Sequence, residues 1–175
     1  MIELILGGAR SGKSKLAEKK AAESGLEVIY IATATVHDGE MADRVEHHRA
    51  QRPDHWAVIE EPLLLAKTLK EQANDNRCLL VDCLTLWMTN LLCHENPDVF
   101  HEQRAELLSC LKALKGLVIF VSNEVGMGIV PMGELTRKFC DETGRLHQNL
   151  AEQADRVVLT VAGLPHVLKD ETAAL

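Results

Sequence analysis

A chain of 175 residues with 46% hydrophobic content is long enough to bury one core and short for two, which predicts a single domain over residues 1–175. A net charge of −7 leaves no basic field to neutralise a phosphodiester backbone, so nucleic acid is not an expected partner. No apolar run approaches membrane-spanning length, and five scattered cysteines without a C-x-x-C pair read as reduced, small core residues of a cytoplasmic protein, not as disulfides or a zinc site.

Residues 2–6 form an apolar run of the kind found in a central parallel strand with both faces covered. The run enters Gly7-Gly8-Ala9-Arg10-Ser11-Gly12-Lys13-Ser14, and a helical pattern follows over residues 15–24, closed by Gly25. Strand, glycine loop and helix in that order make GxxxxGKS a phosphate cradle. Gly7, Gly8 and Gly12 let the backbone wrap an anion, Lys13 reaches terminal phosphates, and Ser14 ligates Mg²⁺. For Arg10 both a phosphate contact and a solvated side chain stand open.

Residues 28–32 predict a second buried strand that ends in Thr33-Ala34-Thr35, where ligand loops sit in open α/β sheets. Residues 39–52 predict a helix stopped by Pro53. On it Met41, Val45 and His48 share one stripe, while Asp43, Arg44, His47 and Gln51 share the polar side. A short strand over 56–59 leads to Glu60 and Glu61, and Pro62 opens a Leu-rich helix to about Asn74.

Residues 78–82 are four apolar residues closed by Asp82, the form of the strand that holds Mg²⁺ in phosphate-loop enzymes, here expected to end beside the loop. Capping of the next helix, near Leu84, is the other role open to this carboxylate. Helical text runs from 84 to 115 with a break at Asn96-Pro97, Trp87 and Phe100 being core residues and His94 and His101 solvated or structural. A buried strand over 117–122 runs into Asn123-Glu124-Val125-Gly126-Met127-Gly128-Ile129-Val130-Pro131, shaped either as a ligand loop or as a plain connection. A long amphipathic helix over 133–154, a last strand over 157–161, a short extension at 166–168 and a frayed tail complete the chain. Arg137, Lys138 and Arg145 read as a solvated basic face. These elements predict an α/β protein of the P-loop nucleoside triphosphatase type, a three-layer fold with a mostly parallel central sheet and helices on both faces.

GGARSGKS at 7–14, YIATA at 30–34, EMADRVEHHRAQRP at 40–53 and SNEVGMGIVP at 122–131 resemble the bifunctional adenosylcobinamide kinase / adenosylcobinamide-phosphate guanylyltransferase family of cobalamin assembly. The similarity covers nearly the whole chain. It implies two reactions. ATP or GTP first phosphorylates the aminopropanol hydroxyl of adenosylcobinamide, and GTP then donates GMP to that phosphate with release of pyrophosphate. The resemblance further implies a guanylyl carrier at His47, nucleotide contacts from Ala32, Thr33, Ala34, His48, Arg49, Ala50, Gln51, Glu60 and Asp82, Mg²⁺ on Ser14 and Asp82, and assembly as a trimer with the site near an interface. Glu60 reads equally well as an ordinary solvated acid.

Neutral imidazole suits the second reaction, being a nucleophile near neutral pH that forms a labile P–N bond. Of the adjacent pair His47 is favoured, with Arg44 three residues back and Asp43 four back on the same helical face. Two rivals remain at this point. A simple P-loop small-molecule kinase forms no guanylylated protein, and a non-enzymatic nucleotide-gated regulator shows no turnover.

Overall fold

Five apolar stretches become adjacent parallel strands: β1 (Ile2–Gly7), β2 (Glu27–Ala32), β3 (Ala57–Glu60), β4 (Arg77–Asp82) and β5 (Leu117–Asn123). The computed structural model describes residues 1–35 and 53–172. Within them β6 (Arg156–Val161) joins β1 in parallel and β7 (Leu164–Asp170) joins β6 antiparallel, giving one sheet in the order β3-β2-β4-β5-β1-β6-β7. The helices are α1 (Lys13–Glu23), α2 (Leu65–Gln72), α3 (Leu84–Leu92), α4 (Asp98–Cys110) and α5 (Glu134–Gln153).

Continuous apolar strands require cover on both faces, and the two faces differ. On one, Ala17 and Ala21 of α1 pack with Ile5, Tyr30, Leu80 and Val121. On the other, Leu69, Trp87 and Leu146 bring α2, α3 and α5 onto Leu4, Ile31, Val81 and Phe120. Phe100 and Leu107 seat α4 in the same layer. The three-layer α/β arrangement expected from the sequence therefore holds. Cys78, Cys83 and Cys110 are buried, and burial pushes the Cys78 thiol up to about 12, so it behaves as a small apolar residue. Among the described residues no helix is long and apolar enough to cross a membrane.

Several boundaries move. The helix expected from residue 15 starts at Lys13, because the left-handed Gly12 of the loop is itself its N-cap. The helix expected from Pro62 starts at Leu65, and the strand expected from Trp56 starts at Ala57. The short extension at 166–168 is a full strand, β7, turned back on β6 through Ala162 and Gly163 at φ 52° and 78°. Two successive positive φ values match the twist of a two-residue hairpin. The helix expected over 39–52 lies outside the described residues, apart from the Pro53 that follows it.

Candidate nucleotide site

β1 delivers the glycine loop at the carboxyl end of the sheet. A Cβ built on Gly7 would stand 2.4 Å from Ser11 Oγ and 2.7 Å from the Thr160 carbonyl oxygen, so no larger residue fits without moving backbone. Ser11 N donates to Gly8 O at 3.3 Å, which tightens the loop. Gly12, at φ 92°, then turns the chain into α1 with no side-chain cap. The first N–H groups of α1 are thus available to an anion, aided by the helix dipole.

Lys13 is only 9% exposed, and its Nζ donates to Gly8 O at 3.2 Å, so the ammonium lies across the loop. Ser11 Oγ is buried without a hydrogen-bond partner among the described residues. A buried hydroxyl left unsatisfied beside uncapped amides and an ammonium fits phosphate oxygens. Two distant segments brace the loop: Glu124 N donates to Gly7 O at 3.1 Å, and Gly163 N donates to Ser11 O at 2.8 Å. Gly8, Ala9 and Arg10 are exposed, and Arg10 makes no hydrogen bond or ion pair among the described residues.

Asp82 closes β4 at the same end of the sheet as the loop, and β4 is not the direct neighbour of β1. β5 stands between them, in register Gly7 with Asn123 and Val121 with Asp82. Two inter-strand spacings of about 4.8 Å across the sheet and two residues, about 6.6 Å, along it therefore separate the Asp82 and Gly7 backbones. Tyr30 Oη donates to Asp82 Oδ2 at 3.0 Å, leaving the other oxygen to accept elsewhere. The helix-capping role is absent, since Cys83 is the N-cap of α3 and no side chain caps that helix. Ser14, half-buried in the first turn of α1, and Asp82 are oxygen donors at the sheet end, the donor class Mg²⁺ takes alongside phosphates and water. They fit that ion.

Thr33 is placed differently from the reading of it as a nucleotide contact. It is fully buried, its hydroxyl donates to Cys83 O at 2.7 Å, and the same oxygen accepts from Cys83 N at 3.0 Å. Its carbonyl accepts from Asn90 Nδ2 at 2.8 Å and its amide donates to Asp82 O at 3.4 Å. With every polar group engaged, Thr33 locks the end of β2 to the end of β4 and presents no polar atom to a ligand. Ala32 and Ala34 flank this lock, half-buried at the same sheet end. Glu60 is exposed on β3, about 19 Å from β1 as four strand spacings. His47, His48, Arg49, Ala50 and Gln51 lie outside the described residues.

One polar cluster has no counterpart among the sequence expectations. His147 of α5 is buried, with Nε2 at 2.7 Å from Ser122 Oγ and Nδ1 at 3.8 Å from Glu124 Oε2. Burial pushes its pKa down, opposed by the Glu124 charge. The polar residues closing the β5 run mark the right loop, yet nothing local ties them to a histidine on the following helix.

A glycine loop with a buried lysine, set before an uncapped helix at the carboxyl end of a parallel sheet, defines a P-loop nucleotide-binding protein. The flagellar accessory protein FlaH of Methanocaldococcus jannaschii has this fold, with TM-score 0.58 and 16% identity over 98% of this chain and 79% of its own. The RadB recombinase shares it at TM-score 0.51 and 17% identity over 90% of this chain and 73% of its own. Residues 3–168 match the family described as cobinamide kinase / cobinamide phosphate guanyltransferase, and the chain belongs to that family. It is 60% identical to the bifunctional adenosylcobalamin biosynthesis protein CobP of Pseudomonas aeruginosa, covering 98% of this chain and 99% of that one. It is 41% identical to the bifunctional adenosylcobalamin biosynthesis protein CobU of Escherichia coli, covering 94% and 97% respectively. The chain is therefore an enzyme with kinase and guanylyltransferase activity, which removes the regulator and the single-activity kinase as rivals.

Proposed function

We propose that one phosphate cradle, residues 7–14, serves both reactions of this enzyme in turn. In the first, the γ-phosphoryl group of ATP or GTP passes to the hydroxyl of adenosylcobinamide; in the second, GMP from GTP passes to the resulting phosphate. The observation that carries this reading is the cradle itself, with Gly7 locked by Ser11 and Thr160 and Lys13 held across the loop. Phosphoryl transfer depends mainly on positioning and on neutralising a dispersed anionic transition state. The α1 amides and Lys13 supply positive potential at that place. Mg²⁺ held by Ser14 and Asp82 adds charge neutralisation on the phosphates when bound. Replacing Asp82 by Asn should raise the Mg²⁺ concentration needed for half-maximal turnover by at least about tenfold, the scale reached by changes around metal ligands. An unchanged magnesium titration removes Asp82 from this role.

His47 is the carrier of GMP in this reading, with His48, Arg49, Ala50, Gln51 and Glu60 beside the nucleotide. Incubation with GTP and Mg²⁺ should add one GMP per chain through a bond that survives base and breaks in acid, as a phosphoramidate does. His47→Ala should abolish the adduct and guanylyl transfer while retaining the kinase step. Mapping of GMP to His48, or an adduct on the His47→Ala protein, overturns the assignment.

Assembly of subunits in the cytoplasm, as a trimer, belongs to the same proposal. Exposed Met127, Ile129, Val130 and Met132, between β5 and α5, support a covered surface there. Light scattering that returns the mass of a monomer at micromolar concentration rules the trimer out.

A further inference from the structure

β5 ends beside the phosphate loop in Ser122 and Asn123, and Glu124 follows directly. Ser122 and, two residues on, Glu124 meet the same ring, that of His147 on α5. Ser122 has no exposed surface, His147 has almost none, and the Glu124 side chain keeps 21%. The cluster therefore has a sealed end and an open end, and the carboxylate is at the open one. Gly126 N donates to Glu124 Oε1 at 2.8 Å, and the Glu124 amide donates to Gly7 O at 3.1 Å, fixing this residue against the first glycine of the cradle.

A serine, a histidine and an acid in a row suggest a nucleophilic triad, but the polarity is reversed. In a triad the serine meets the substrate; here the serine is sealed and the acid is reachable. The Glu124 carboxylate, 3.8 Å from Nδ1, favours the tautomer protonated there, in which Nε2 accepts from the Ser122 hydroxyl. Ser122 and Gly126 thus hold the ring and the carboxylate from opposite sides. Among the described residues at the loop, the amides and Lys13 are donors and Asp82 is assigned to the metal, whereas Glu124 is a part-exposed carboxylate fixed against Gly7. An alcohol that attacks a γ-phosphorus has to lose its proton.

We propose that Glu124 is the catalytic carboxylate that takes the proton of the corrinoid alcohol during the kinase step, and that His147, held by Ser122, is the residue that positions it. The proposal rests on the kinase reading of this site. In the step, the alcohol oxygen forms a bond to the γ-phosphorus and the bond from that phosphorus to the β-phosphate oxygen breaks. The nucleoside diphosphate leaves with that electron pair, the alcohol proton moves to Glu124, and water later takes it away. Burial holds the His147 pKa down, which favours the neutral ring that Ser122 and Glu124 flank. Guanylyl transfer makes no such demand, since its acceptor is a phosphate already largely ionised above its second pKa of about 6. The two activities should therefore separate.

The test uses the full chain and two assays: adenosylcobinamide with ATP for the kinase step, and ready-made adenosylcobinamide phosphate with GTP for the transfer. Glu124→Gln should lower the kinase kcat by about 10²- to 10³-fold, the range of general base catalysis. The KM for ATP should move by less than about threefold, and the kinase-to-transferase ratio should fall at least about 50-fold by the same reasoning. His147→Ala should shift that ratio in the same direction by about tenfold, and the double variant should be no slower than Glu124→Gln, because a positioning residue acts through its partner. Equal losses in both assays would mean that Glu124 only shapes its loop, and overturn the proposal. A kinase rate insensitive to Glu124→Gln, or additive losses in the double variant, overturn it as well. Failure of the unaltered protein to phosphorylate adenosylcobinamide strikes instead at the reading beneath.

Discussion

The phosphate loop takes its shape from eight consecutive residues, whereas the wall beside it is assembled from Ser122 on β5, Glu124 just after it and His147 on α5. Backbone conformation dominates the first: Gly12 at φ 92°, Gly7 with no room for a Cβ, and amides turned toward a ligand. Side-chain docking dominates the second, and it exists only where α5 seats Leu146 and Leu150 on the sheet. The loop should accordingly be broken by small local steric changes, and the wall by changes in charge or pH that leave the backbone alone.

The largest effect should come from Lys13→Ala, which removes the ammonium from the cradle. Loss of a preorganised charge contact at a reacting phosphate costs about 10²- to 10³-fold in rate. Because one cradle serves both reactions, both activities of a folded variant should fall together; near-normal rates in either would break the comparison at its firmest point.

An intermediate effect is expected at the glycines, and it comes with an internal control. A methyl group on Gly7 meets the Thr160 backbone, so Gly7→Ala should destabilise the fold by about 1–3 kcal/mol, as overpacking does, and weaken nucleotide binding. At Gly8 the same methyl meets nothing within 4 Å, so Gly8→Ala should cost less than about 1 kcal/mol. Urea unfolding of the two variants side by side decides this; equal costs would show that the loop is not set by the contact of Gly7 with β6.

The smallest effect concerns pH and belongs to the other wall. Burial holds the His147 pKa below the value of about 6.5 that an unfolded imidazole has. The unfolded chain then binds more protons in that window, so stability is full above about pH 6.5 and is lost as pH falls toward the folded pKa. One such group contributes a slope of at most about 1.4 kcal/mol per pH unit. His147→Gln should flatten the acid side of a plot of urea stability against pH. An identical slope in the variant would place the titration elsewhere.

What can be read from the chain follows the same division. The loop is legible because its determinants are neighbours: β1, the glycines, Lys13 and Ser14 occur in sequence as they occur in space. For Asp82 the sequence indicates the strand end but not the order of strands, because apolar parallel strands carry no mark of their order in the sheet; only the structure shows β5 between β4 and β1. Thr33 belongs to the YIATA block that suggests nucleotide contact, yet its hydroxyl is engaged by Cys83, a residue on another strand's exit. β7 is hard to see beyond three residues because most of it is exposed and its pairing with β6 supplies what its own pattern lacks. His147 looks in sequence like one more polar residue of an amphipathic helix. His47 and its neighbours fall outside the described residues, and their placement rests on the family pattern.

The bond from Gly163 N to Ser11 O has a consequence for how the protein is made. The cradle is synthesised well before its brace, which follows β6 in the turn at Ala162 and Gly163. Contacts between such distant parts of a chain form late, since loop closure must precede them. A nascent chain therefore displays the complete GxxxxGKS segment without the buttress at Ser11 until β6 and the turn after it have been made.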